Sequence, residues 1–266
     1  MSNESQENQK VMSKLNMYVM FYESTVDLRK ETMNRLRNWL RDTIPKEEWP
    51  GKDFSDENVK INENLDADIR NVVNQSLYPM EEKFHKKMEE EVKKHQLWPW
   101  LKSVRGVSTN LGSKLLHRLP DDIPAPSNLW SYAGLDGPGW RKRPHNWELT
   151  SVCYLIGDQF NRLRNNPNSK YGKILTERKE YEKTKPWCGK CRPKSENDKI
   201  EKYQKLIDKE KYDEAEKLAK EIEEYENSRE HCTAGHMENK ARRYAIKEFM
   251  KDLWVEMDRL KEESNV

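Results

Sequence analysis

The chain has 266 residues, 36% charged and 34% hydrophobic, with a formal net charge of +2 and a mean hydropathy of −1.15. No stretch approaches the roughly 18 apolar residues of a membrane span, and the opening MSNESQENQK has no apolar signal core, so a cytoplasmic protein without membrane contact is expected. The charge is uneven: 16 basic against 8 acidic side chains give 101–191 a net of +8, while 1–100 and 192–231 carry −3 each, which makes 101–191 a candidate polyanion surface.

Residues 9–43 predict a long helix. Leu15, Tyr18, Tyr22, Val26, Met33, Leu36 and Leu40 recur at steps of three and four, which places them on one stripe. Pro45, Pro50 and Gly51 end it. A second long helix is expected from a cap at Ser55 or Asp56, with Leu65, Ile69, Val73, Leu77, Met80, Phe84, Met88 and Val92 inward and a kink or split at Pro79. Together they read as a helical hairpin or coiled coil over 1–97. Stripes this long either pack within one chain or pair protomers as a homodimer.

After Pro99 the texture changes to short helices and loops over 98–191. Leu101–Leu116 has the pattern of a helix–hairpin–helix: a helix ending near Val104, the turn Gly106-Val107-Ser108, then a helix with Gly112, Leu115 and Leu116. Such a turn aims main-chain N–H groups and a helix N-terminus at a phosphate. The usual second glycine of the turn is Ser108 here. Lys102, Arg105 and Lys114 flank it. The loop 137–147 then interleaves Trp140 and Trp147 with Arg141, Lys142, Arg143 and His145. Rings can stack on bases while cations hold phosphates; the bland alternative buries both indoles and solvates the cations. Further helices are expected at about 148–163 and 172–184, with Cys153 in the core.

Cys188-x2-Cys191 and Cys232-x3-His236 complete a Cys3His set suited to a structural Zn²⁺, with Gly189 in the knuckle and Gly235 before the histidine. His231 is a rival fourth ligand. Between the two halves, 192–231 is a Lys/Glu-rich helical hairpin broken at Asp208–Asp213. The segment 232–266 completes the metal site and closes with a helix whose Ala241, Ile246, Phe249, Leu253, Met257 and Leu260 face inward. No alternating strand pattern is present, so the fold class is all-α. There is no P-loop, HExxH or GxSxG.

The run GVSTNLGSKLLHRL, PAPSNLWSYAGLDG and NWELTSVCYLIGDQF, preceded by Asn34, Arg35, Leu36 and Arg37 in a coil, is similar to the C-terminal half of the DEDD-type transposases of bridge-RNA-guided insertion sequences. The likeness covers about 25–165 and is most specific at W-S-Y-A-G-L (130–135) and at the G-V-S turn. It implies a coiled coil followed by a helix–hairpin–helix transposase domain, of the archaeal or viral kind that adds a Cys/His site and a closing A-R-R-Y-A-I-K helix. Two departures matter. The family's RuvC-like domain, which holds the acidic tetrad, would precede the coil, so no such tetrad is expected within these residues. The loop that carries the family's nucleophilic serine has no Ser or Thr over 132–149.

The resulting expectation is a non-catalytic accessory protein of a mobile element, virus or plasmid that binds DNA or structured RNA. The rivals are a protein-interaction role for the long helices, as in a virion or inhibitor protein, and a recombinase subunit completed by a separately encoded nuclease.

Overall fold

The computed structural model describes residues 3–45, 65–120, 122–136, 144–189 and 191–264. Among these the regular structure is helical and no strand forms, apart from an isolated antiparallel bridge between Pro186 and His231. The all-α expectation is met. No helix among the described residues is long and apolar enough to cross a membrane. The chain divides into two compact units. One comprises Met1–Ser103, Val107–Asp121 and Glu256–Val266; the other comprises Val104–Gly106 and Asp122–Val255.

In the first unit, α1 (Asn3–Thr43) runs antiparallel to a helical run made of α2 (Ala67–Asn71), a π-helical turn (Val72–Leu77) and α3 (Tyr78–Val92). The pairing is visible along its length. Asn8 donates to Gln96 at 2.9 Å, the Tyr22 ring lies 5.3 Å from His85, and Arg29 Nε donates to Glu81 at 2.5 Å. Beyond these, Met33, Leu40 and Ile44 cluster with Leu65, Val73 and Leu77. Burying this apolar stripe, more than intrinsic helix propensity, is what holds such long polar helices in place.

The predicted stripe fails at two positions. Ile69 and Met80 are 42% and 43% exposed. Leu65 precedes the helix, which Asp66 caps by accepting from the Asp68 N–H, so helical steps counted from Leu65 misplace Ile69. At Met80 the inward place belongs to its neighbour Glu81, drawn to Arg29. Pro79 does not break the run. It sits in the first turn of α3, directly after the π turn, whose widened backbone takes up the missing N–H and the ring. The expected start at Ser55 or Asp56 lies outside the described residues.

Two short helices follow, α4 (Trp98–Ser103) and α5 (Thr109–Arg118). Ser108 caps α5 by accepting from the Leu111 N–H, and the α5 residues Leu115 and Leu116 are buried where α5 packs on α1 and α3. Gly112 admits the Trp98 ring, since a Cβ there would lie 3.0 Å from Cζ3.

The second unit contains α6 (Pro126–Tyr132), α7 (Trp147–Arg162), α8 (Lys170–Lys183), α9 (Lys194–Asp208) and α10 (Tyr212–Asn227), and α11 (Ala234–Ser264) as far as Val255. Its centre is an aromatic trio, Phe160, Tyr171 and Phe249, with centroids 4.8–5.6 Å apart. Cys153 is buried, as expected, and burial pushes its thiol up to about 12. Two indoles tie the unit to the last helix: Trp130 Nε1 donates to Lys247 O at 3.0 Å and Trp254 Nε1 to Ile123 O at 2.8 Å. The charged hairpin of α9 and α10 has a small core of its own, Leu206, Ala215 and Leu218. The inward face of α11 is as predicted at Ala241, Ile246, Phe249 and Leu253, whereas Met257 and Leu260 are half-buried.

His95, buried between α3 and α4, gives the first unit a pH dependence. Burial lowers its imidazole from 6.5 to about 4, and the ring nitrogen Nδ1 accepts from the Leu97 N–H at 3.1 Å. The unfolded chain therefore binds a proton that the folded chain refuses, and stability falls as pH drops from 6.5 towards 4, by up to about 3 kcal/mol. Denaturant unfolding at pH 7 and at pH 4.5 tests this. His95→Asn keeps an acceptor for the Leu97 N–H without a titrating group. It is expected to lose measurably less stability over that interval than wild type; equal losses would remove His95 as the cause.

Candidate metal centre and nucleic-acid surface

The Cys/His ligand set is built at the mouth of the α9–α10 hairpin. The chain leaves α8, pairs Pro186 with His231, and donates the Trp187 N–H to Glu230 O at 2.8 Å, which brings the two ends of 188–232 side by side. Gly189, at φ +72°, takes the left-handed conformation that turns Cys188 and Cys191 towards each other. The Trp187 indole closes the knuckle by donating to Cys191 O at 3.0 Å. On the other side, Thr233 accepts from the His236 N–H at 3.2 Å and so starts α11 with His236 in its first turn. Arg192 and Glu226 form an ion pair at the foot of the hairpin, with Nε to Oε1 at 2.9 Å.

The side-chain ligand atoms of Cys188, Cys191, Cys232 and His236 all lie within 4.8 Å of one another. A tetrahedral zinc with bonds of about 2.0–2.3 Å spaces its ligands by about 3.3–3.8 Å, so closure onto an ion needs only small side-chain adjustments. The chemistry fits as well. His236 Nε2 is buried without a hydrogen-bond partner, a costly state that an ion would relieve. Burial, followed by the charges of Lys240 and Arg243, pushes the His236 imidazole down, in the direction of the neutral form that ligates a metal. Cys232 is pushed up to about 11, mainly by burial, beside the other two thiols. The Thr233 N–H points at Cys191 Sγ at 3.4 Å. No disulfide joins the cysteines. The cluster could therefore hold a metal ion such as zinc.

His231, the rival ligand, stands outside. Its Nδ1 lies 3.2 Å from Lys185 O, and its side chain is turned to solvent beside Glu230.

The residues expected to bind nucleic acid have diverse surroundings. Lys102, Arg105 and Ser108 are exposed and Val107 is buried. Gly106 is half-buried at φ +103°, with the Gln159 Cβ and Leu163 side chain within 3.3 Å of where its own Cβ would be. That contact keeps the turn tight and limits how much of it faces solvent. Lys114 is engaged by Glu23 at 3.5 Å and lies over the Tyr22 ring. His145 is half-buried, with its ring against Gly134. Trp147 opens α7 and is 68% exposed, the most exposed large hydrophobic side chain among the described residues. Trp140, Arg141, Lys142 and Arg143 lie outside the described residues.

Sequence reasoning passed over a basic, aromatic pocket beside the knuckle, formed by α8 and α11. Its cations and tyrosines lie mostly in the helix expected at 172–184 and in the A-R-R-Y-A-I-K run of the closing helix, and Cys188 entered the sequence reading only as a metal ligand.

Elemental analysis of the purified protein is expected to give one metal ion per chain. His236→Ala should empty the site and lower the melting temperature, whereas His231→Ala should leave both unchanged. Loss of metal from His231→Ala and retention by His236→Ala would reverse the assignment. Neither a known protein family, nor a curated protein, nor a solved structure matches the chain, so the functional reading rests on these residues.

Proposed function

We propose that the protein binds the backbone of DNA or structured RNA without cutting it, as an accessory relative of the transposases its sequence resembles, and that the Cys3His cluster carries a structural Zn²⁺. The observation that supports the reading most is Trp147. Its indole stands 68% exposed at the head of α7, and the string Arg141-Lys142-Arg143 comes four to six residues before it. An exposed indole preceded in the sequence by a run of cations suits stacking on a base with the phosphates held by charge. Arg105, exposed before Gly106 in the same unit, supplies further charge. Four protein ligands leave a zinc no open position for water, which favours a structural over a catalytic ion.

A second reading has an observation of its own. Met17, Met20, Phe21 and Leu28 of α1 are 41–59% exposed and recur at helical spacing, a face suited to a second copy of the chain. Light scattering that gives a dimer, reduced to monomer by Met20→Lys with Leu28→Lys, would favour it.

Fluorescence anisotropy with duplex DNA and with structured RNA across a salt series tests the nucleic-acid reading. Replacing Arg141, Lys142 and Arg143 with Ala should reduce the salt slope by about 2–3. Trp147→Ala should weaken single-stranded or unpaired targets by about tenfold and leave the slope unchanged. Weak, salt-independent binding that is the same for all three proteins would end the proposal.

A further inference from the structure

Between α8 and α11, in the second unit, lies a pocket of about 570 Å³ with Cys188 in its wall. This volume suits a small organic ligand and far exceeds what a single inorganic anion fills. Five cations line it against two carboxylates, Asp136 and Glu182. Both carboxylates are already used. Glu182, whose side chain is 4% exposed, takes Arg178 at 2.6 Å and Lys240 at 3.4 Å; Asp136 takes Lys247 at 3.7 Å. Arg243 and Lys185 make no ion pair among the described residues, so the pocket keeps positive charge that nothing in it neutralises.

Its aromatic side is equally specific. The Arg178 guanidinium is held between two rings, 4.6 Å from the Tyr181 centroid and 4.7 Å from that of Tyr244. Glu182 fixes it from one edge, so this side of the pocket is preorganised. Both rings remain part-exposed, at 45% and 39%. Lys185 lies over Tyr181 at 4.5 Å, which places an exposed cation at the rim. A planar ring with an attached anion satisfies both halves at once.

We infer that this pocket binds a nucleoside phosphate, with its phosphate at Arg243, the lining cation of α11 that no carboxylate engages, and its base against the part-exposed tyrosine rings. The inference goes beyond the reading above and does not depend on it, since it uses neither Trp147 nor 141–143. The nucleotide can come free from solution or from a 5′-phosphorylated strand end, and both sources offer the same chemistry.

Calorimetric titration of the metal-loaded full chain decides the matter, with adenosine 5′-monophosphate, inorganic phosphate, adenosine and a 5′-phosphorylated single-stranded decanucleotide as probes. The monophosphate should bind at least about tenfold more tightly than either phosphate or adenosine, because only it uses both halves. Arg243→Gln should cost about tenfold with unchanged metal content and melting temperature. Tyr244→Leu should abolish the preference for monophosphate over phosphate. Binding of the decanucleotide that Arg243→Gln weakens, with the monophosphate silent, would identify a strand end as the source. A monophosphate that binds no better than phosphate, with a decanucleotide indifferent to Arg243→Gln, would overturn the inference. Trp147→Ala serves as the separating control: it should leave monophosphate binding intact whether or not the protein binds nucleic acid through that residue.

Discussion

A buried imidazole nitrogen without a partner, set among three thiols, is the constraint from which the second unit is organised. His236 Nε2 has lost its water and gained no hydrogen bond, and Cys232 is held where its thiol resists ionisation. Apolar packing does not resolve either cost. A cation does, because it replaces the lost water on nitrogen and makes thiolates the favoured form. The backbone around the cluster is consistent with that duty: a left-handed Gly189, an indole that clamps Cys191 O, and a threonine that starts α11 beside the ligands.

The consequences extend beyond the four ligands. The 192–231 segment leaves and returns between Cys191 and Cys232, and its own core is three residues deep. Such a hairpin has little apolar burial with which to offset the entropy of closing its loop. An ion held by the four ligands would fix both ends together, alongside the Arg192–Glu226 pair. The same knuckle supplies Cys188 to the pocket wall, and His236 and Arg243 lie two turns apart on one helix. Ligand cluster, hairpin and pocket thus draw on neighbouring residues of one short stretch of chain on either side of the hairpin.

Much of this was legible in the sequence where the signal is local. The α1 stripe, the two halves of the hairpin and the Cys/His spacing all depend on residues close together in the chain, and Leu15, Met33, Leu40, Met88 and Val92 are buried as their periodicity predicts. Ile69 and Met80 were misread because periodicity cannot see where a helix begins or where an ion pair outbids a methionine for the inward position. The choice between His231 and His236 needed three dimensions, since the Pro186–His231 bridge turns the nearer histidine outward. The pocket was out of reach altogether: Arg178 and Arg243 meet only after α8 and α11 pack.

The W-S-Y-A-G-L run shows how a string can be dictated by backbone geometry. Trp130 hydrogen-bonds to α11, Gly134 takes a positive φ to end α6, and the Gly134 and Leu135 N–H groups return to Ser131 O and Trp130 O at 3.0 and 2.8 Å. This is the double bond of a Schellman cap, and Leu135 is buried behind it. Ala133 O accepts from Thr150, and Tyr132 O from the Asn146 N–H. These residues are occupied in ending one helix and starting the next, so they carry fold and leave little for a ligand. Binding has to be sought in side chains that folding leaves unused. Asn146 caps α7 through its own side chain, a bond that asks for no indole at the next position. Exposing the Trp147 indole there gains the folded chain nothing, just as leaving Arg243 without a carboxylate in a cationic pocket costs it some repulsion. Those two side chains are therefore the places where the two binding proposals stand or fall.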